Sequence, residues 1–249
     1  MQKVKNIILI YLIQIFFLLP VSANEKLTSF SFGGVEYDVT HTWRNAKIIE
    51  PGSIFSKSLD SLDTKTPTPT ILLMHGCSGI YEGDWASFFK SKGYVVVMPD
   101  SFAIPNRKSN CDTKTKKTFG NIPTQILRNL EAEYAMTQLQ TMPWVDKKNI
   151  FIMGHSEGGI AAWQTNDKKF NGIIVSSYHC YGGTTESSIP ILAINFENDP
   201  WIGWYGHCKN NWGQRKNATQ IIIKGEGHNT FGYDEVMIGV DEFIKKYSK

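Results

Sequence analysis

From Thr70 onward, short unbroken apolar runs recur along the chain: Ile71–Met74, Tyr94–Met98, Ile150–Met153, Gly172–Val175, Ile191–Ile194 and Gln220–Ile223. Runs of this length without polar alternation predict strands buried on both faces. Between them lie helical stretches at Trp85–Lys92, Thr124–Thr141, Gly158–Thr165 and Asp234–Tyr247. The second places Ile126, Leu127, Leu130, Tyr134 and Leu139 at helical spacing. Buried strands alternating with helices predict an α/β fold, a mostly parallel central sheet covered by helices on both faces. Upstream, Leu27–Thr42 alternates and breaks at Gly33-Gly34, which predicts two short strands. Glu50–Thr70 is polar, carries Pro51, Pro67 and Pro69, and reads as mostly loop. No internal repeat or second core is visible, so residues 24–249 are read as a single domain without a large cap.

The first 23 residues follow a different logic. Lys3 and Lys5 precede an apolar run from Ile7 to Leu19, Pro20 ends it, and Val21-Ser22-Ala23 supplies the small residues of a signal-peptide cleavage site. Such a run makes about 20 Å of helix, short of the ~30 Å hydrocarbon core, so no stable membrane anchor is expected after cleavage. The expected destination is the periplasm or the cell exterior. The whole chain of 249 residues has a formal charge of +3. Loss of Lys3 and Lys5 leaves 24 basic against 23 acidic side chains. That near-neutral balance gives no electrostatic basis for binding nucleic acid, and the 41% hydrophobic content excludes a largely disordered chain.

Four cysteines, Cys77, Cys111, Cys180 and Cys208, lie in the mature part, an even number suited to disulfides in an exported chain. Three pairings are possible, and proximity along the chain favours Cys77–Cys111 and Cys180–Cys208. The repeated pairs His179-Cys180 and His207-Cys208 also raise a zinc site. Adjacent residues on an extended chain point apart, so convergence of all four would require unusual turns. No metal site is expected on that ground.

The chemistry gathers where the predicted strands end, as in open parallel sheets generally. Gly154-His155-Ser156-Glu157-Gly158-Gly159 is a G-x-S-x-G between a buried strand and a small-residue helix, the context that makes Ser156 a candidate nucleophile. A neutral hydroxyl needs a base. His228 follows the last strand in Gly225-Glu226-Gly227-His228 and is the candidate. His155 adjoins the serine too closely to serve it, and His41 belongs to the amino-terminal hairpin. Asp199, after the fifth strand, would orient His228 and completes the chain order Ser…Asp…His. Glu197 and Asp100 are rival carboxylates. Oxyanion donors are expected in the backbone N–H groups of Glu157 and of Cys77, within His75-Gly76-Cys77-Ser78-Gly79. His75 itself reads as hydrogen-bonded packing.

Together HGCSG at 75–79, GHSEGG at 154–159, the Asp199 turn and GEGH at 225–228 resemble the α/β-hydrolase superfamily, and within it the dienelactone hydrolase-like branch. The resemblance spans about Thr70 to Tyr247 and includes GYVVVMPDSF from Gly93 and Trp144-Val145-Asp146. It implies hydrolysis of a small-molecule carboxylic ester or lactone through an acyl-enzyme, without cofactor. Two departures matter. Position 156 is serine where dienelactone hydrolases carry cysteine, which favours a broader esterase, and those enzymes are cytoplasmic. A serine peptidase of the same fold and a catalytically retired binding protein are the alternatives. Between Asp199 and His228, Trp201, Trp204, Tyr205 and Trp212 could wall a substrate pocket or pack the loop against the sheet. His179 could border the same pocket.

Overall fold

The computed structural model describes residues 27–62, 66–120, 122–182, 188–203, 207–213 and 215–249. The expected signal segment 1–23, Trp204 and Tyr205 lie outside them.

The chain opens with a hairpin, β1 (Ser29–Phe32) and β2 (Val35–Asp38), then a short helix α1 (Thr40–Arg44), β3 (Lys47–Ile49) and β4 (Lys57–Ser58). The repeating part follows: β5 (Thr68–Met74), α2 (Asp84–Ser91) and β6 (Val95–Met98). A small hairpin, β7 (Cys111–Asp112) and β8 (Lys117–Thr118), precedes α3 (Thr124–Leu139) and β9 (Val145–His155). Then come α4 (Glu157–Gln164), β10 (Gly172–Ser176), β11 (Ile191–Asn198), β12 (Ala218–Glu226) and α5 (Asp234–Tyr247).

Eight strands form one sheet in the order β12-β11-β10-β9-β5-β6-β3-β4. All six strands predicted from the apolar runs are present and pair in parallel, while β3 and β4 extend the β6 edge antiparallel. Among the described residues Glu50–Thr70 is mostly loop, with β4 and the start of β5 as its strand residues. Lys47–Ile49 and Lys57–Ser58 are too short to carry a period, and they form strands because β6 offers an unpaired edge. Likewise α1, which carries His41, replaces the end of the second predicted strand.

Period-two alternation divides the buried side chains between two cores. Leu72, Met74, Ile152, Val175 and Ala193 face α3 and α4, whereas Ile71, Leu73, Phe151, Ile174 and Leu192 face α2 and α5. On α3 the expected apolar stripe is only half of the pattern. Leu127 and Leu130 pack under the amino-terminal hairpin with Tyr37 and Val39, but Ile126 is 54% exposed. The sheet-facing stripe instead runs through Arg128, Glu131, Ala132, Ala135, Met136 and Leu139, all buried.

Sheet order fixes where ligands can bind. From β5 the chain crosses to β6 on one side, then returns to β9 on the other. The connections leave in opposite directions, and a crevice opens between the carboxyl ends of β5 and β9. HGCSG follows β5 and GHSEGG ends β9, so both motifs meet there.

On the opposite face α5 lies close to the sheet because Gly172 leaves room for Phe243. A Cβ at Gly172 would stand 2.7 Å from the Phe243 ring. Replacing Phe243 by alanine should therefore destabilise the fold by about 3 kcal/mol. The urea midpoint should fall with an unchanged m-value; an unshifted midpoint would show that this contact carries no stability.

Candidate active site

Ser156 has φ 54° and ψ −121° between β9 and α4, a conformation rarely adopted by a residue with a side chain. Its neighbours explain why the chain turns so tightly. A Cβ on Gly154 would lie 2.0 Å from Gly158 O, and one on Gly158 would lie 2.0 Å from Met74 O. Both glycines are therefore required by backbone contact alone. The turn is held by Ser156 N donating to Ser176 O at 2.8 Å and Gly159 N donating to Ser156 O at 2.8 Å. Asp84 and Ser177, also at positive φ, line the same crevice.

His228 and Asp199 are brought together across the ends of β12 and β11. His228 Nδ1 lies 2.9 and 2.8 Å from the two Asp199 carboxylate oxygens. Asp199 Oδ1 also accepts from Trp201 N at 2.9 Å, and Ser177 Oγ donates to His228 O. The rival carboxylates are elsewhere. Glu197 is exposed and accepts from Gly225 N at 3.3 Å, while Asp100 accepts from Phe102 N at 3.0 Å. With Nδ1–H donated to Asp199, Nε2 of His228 is the ring nitrogen that could accept a proton. Ser156 and His228 both line two adjoining cavities.

The loop after β5 lies against the serine: a Cβ on Gly76 would stand 3.4 Å from Ser156 Cβ. The Gly76 carbonyl accepts from His75 Nδ1 at 2.7 Å and from Gly79 N at 3.2 Å. Two donors on that oxygen fix the planar Gly76–Cys77 peptide, so the Cys77 N–H on its other side is fixed as well. His75 Nε2 accepts from Ser101 N at 3.0 Å, so its ring is a neutral Nδ1–H tautomer. Burial first, and then the charge of Arg128, holds its pKa well below 6.5. Opposite this loop, the Glu157 amide heads α4 and has no acceptor within the helix. The arrangement can hold an oxyanion between the two amides while Ser156 attacks a carbonyl.

Both disulfides brace these loops. Cys77–Cys111 ties the 75–79 loop to the β7–β8 hairpin, and Cys180–Cys208 joins the loops after β10 and β11. The second bond occupies the thiols that a zinc site would need, and no group of three metal-binding side chains converges among the described residues. The aromatic loop divides its roles. Trp201 lines both cavities with its ring 5.4 Å from that of His228, while Trp212 packs against the core. His179 lines the second cavity, and His207 contacts Glu197 O at 3.3 Å.

Sequence reasoning missed the charged support beneath the serine. Arg107 Nη2 lies 2.6 Å from Glu157 Oε1, and Arg128 Nη1 lies 2.6 Å from Glu131 Oε2, with all four side chains nearly or fully buried. Arg128 Nε reaches Glu157 Oε1 at 3.8 Å, and its Nη2 donates to His75 O. The Arg107 guanidinium stacks 4.3 Å from the Phe102 ring. Burial, opposed by the Glu157 and Glu131 charges, lowers the Arg107 pKa below its ordinary value. The available signal was Arg128 and Glu131 spaced i, i+3 on the small-residue stripe of α3.

A family model described as the alpha/beta hydrolase family matches residues 124–241. A cold-adapted esterase from an Arctic intertidal metagenomic library superposes with TM-score 0.57 at 10% identity, covering 90% of this chain and 97% of its own. The chain has the α/β-hydrolase fold. A candidate dipeptidyl aminopeptidase IV from Bacteroides ovatus shares that fold with TM-score 0.52 at 15% identity, over 81% of this chain. Here the chain spans only 33% of the other protein's length. No curated protein matches the sequence.

Two predictions follow from the charges around this α/β-hydrolase elbow. Breaking a buried ion pair strands the remaining charge, so Arg107→Met should cost about 3 kcal/mol of stability. Adding Glu157→Gln should recover more than half in urea unfolding; a double variant no better than the single would mean that Glu157 is not the stranded group. The second concerns His155, whose Nδ1 pairs with Ser176 Oγ at 2.9 Å. Burial, then the neighbouring His228, lowers its pKa from 6.5 to about 3. The unfolded chain binds a proton there below pH 6.5 and the folded protein does not until about pH 3. Stability is therefore complete above that window and is lost as pH falls through it, with His75 and His179 contributing in the same sense. Melting temperature should fall from pH 7 to 4, less steeply in His155→Gln; identical slopes would exclude His155 as a source.

Proposed function

We propose that the protein is an exported serine hydrolase that cleaves carboxylic esters or lactones through an acyl-enzyme. The observation that carries this reading is Ser156 at φ 54° lining the same cavities as a His228 paired to Asp199 at 2.8 Å. Ser156 Oγ adds to the ester carbonyl as His228 Nε2 takes its proton, and Asp199 stabilises the imidazolium. The carbonyl oxygen is received by the Cys77 and Glu157 amides, at the positive end of α4. His228 gives the proton to the departing alcohol, and water repeats the sequence to release the acid.

The motifs at 75–79, 154–159 and 225–228 support a reading of the chain as dienelactone hydrolase-like, with serine in the role of the cysteine of those enzymes. The two disulfides support an oxidising compartment and so export through cleavage after Ala23. No helix among the described residues is long and apolar enough to cross a membrane.

Ser156→Ala should fold normally and lose at least about 10³-fold of kcat on p-nitrophenyl butyrate. A fluorophosphonate should add once, at Ser156. Peptide anilides cleaved in preference to esters would replace the esterase reading with a peptidase. A folded protein that accepts no fluorophosphonate would be a binding protein on this scaffold.

A further inference from the structure

Two chambers meet at the serine, one of about 380 Å³ and one of about 350 Å³. Cys77, Ser156, Trp201 and His228 line both. A carbonyl carbon at Ser156 therefore sits at the junction, and the two sides of its ester must lie in different chambers.

The chambers differ in chemistry. The first is walled by Leu73, Met74, Trp85 and Met98, with Tyr81 at its rim. The second adds the amides, hydroxyls and imidazole of Asn110, Thr124, Gln125, Ser177, His179 and Tyr181 to a wall that also holds Ile160, Ile202 and Glu157. Asn110 is only 7% exposed, and its Oδ1 is buried without a partner among the described residues while its Nδ2 donates to Thr124 Oγ1 at 2.9 Å. Neither chamber has a lysine or arginine among its described lining residues. The nearby Arg107 is taken up by Glu157. His179 Nδ1 accepts from Tyr181 N at 3.1 Å, and burial lowers its pKa to about 4, so it brings no cation at neutral pH. An anionic substrate would lose its hydration there without gaining a counter-charge.

We infer that the preferred substrate is a neutral ester whose apolar acyl group enters the Leu73–Trp85–Met98 chamber and whose polyhydroxylated, sugar-like alcohol enters the Asn110–Gln125–Tyr181 chamber. This rests on the serine-esterase reading and names its substrate. In the transfer, the Ser156 Oγ–acyl bond forms and the ester C–O bond breaks. The alcohol oxygen takes the proton that His228 removed from Ser156, and the neutral alcohol departs through the polar chamber.

The test compares kcat/KM of the full protein on three butyrate esters, those of glucose, ethanol and glycolate. Glucose should exceed ethanol about tenfold, the value of one to two neutral hydrogen bonds, and glycolate should fall below ethanol. Gln125→Leu should raise KM for the glucose ester about fivefold, the loss of one such bond, and narrow the glucose preference. On glucose esters, hexanoyl should exceed acetyl. A glucose ester no better than ethyl, a glycolate ester hydrolysed as well as ethyl, or acetyl favoured over hexanoyl would overturn the inference. If p-nitrophenyl butyrate is cleaved in those cases, the esterase reading stands and only the substrate is wrong. If it is not cleaved and Ser156 accepts no fluorophosphonate, both fall together.

Discussion

The contact on which the site depends is between backbones. Gly158 runs so close to Met74 that a Cβ would meet its carbonyl at 2.0 Å, and Gly154 is equally close to Gly158 O. Strands β5 and β9 are already locked in parallel register, with Met74 opposite Gly154. The first turn of α4 therefore has one place to go, and Ser156 must cross from strand to helix within a single residue. Its positive φ follows from that crowding, with the surrounding sheet over-determining a conformation the residue would not choose alone. The same approach sets the first turn of α4 beside the 75–79 loop, so the Ser156 turn and the proposed oxyanion donors share one origin.

Such closeness leaves charged groups where apolar ones would be expected. Glu157 begins α4 next to the buried loop after β5, and its carboxylate cannot reach bulk water. Arg107 and Arg128 meet it there, and Glu131 balances the second arginine. An apolar cluster of equal volume could be as stable, so stability alone is a poor reason for four buried charges. What they add is direction. Arg128 holds the His75 carbonyl, His75 holds the Gly76 carbonyl, and the Gly76–Cys77 plane sets the Cys77 amide. This chain of hydrogen bonds transmits the position of α3 to the oxyanion loop.

Much of this was legible in the sequence where a pattern had length. Five of the six parallel strands announce themselves as apolar runs because their centres are covered on both faces, while β12, at the sheet edge, is only partly buried. The strand–turn–helix at Ser156 and the positions of Asp199 and His228 beyond β11 and β12 were legible because chain order and strand ends confine them. Short elements were not: β3, β4 and the β7–β8 hairpin exist through pairing with neighbours, which no local period records. On α3 the apolar spacing pointed to the stripe under the amino-terminal hairpin and missed the stripe against the sheet. Arg128 and Glu131 occupy that second stripe, and charge hides burial from any reading based on hydrophobicity. Pairing across 50 residues, as between Arg107 and Glu157, is a fact of the fold alone.

The braces explain how loops can carry the rest of the site. Segment 105–120 leaves the sheet entirely, yet Asn110, Thr113 and Thr118 contribute to the cavity walls. Few backbone ladders hold it, since β7 and β8 pair over only two residues each. Cys77–Cys111 ties it covalently to the oxyanion loop, and Ser109 Oγ adds a bond to Cys77 O at 3.0 Å. Ser177 and Cys180 stand at positive φ beside the second disulfide in the same way. Strand ends position Ser156, Asp199 and His228, and disulfides lend comparable constraint to the loops that shape the cavities around them. An oxidising environment is then a condition for the shape of the pocket as well as for stability.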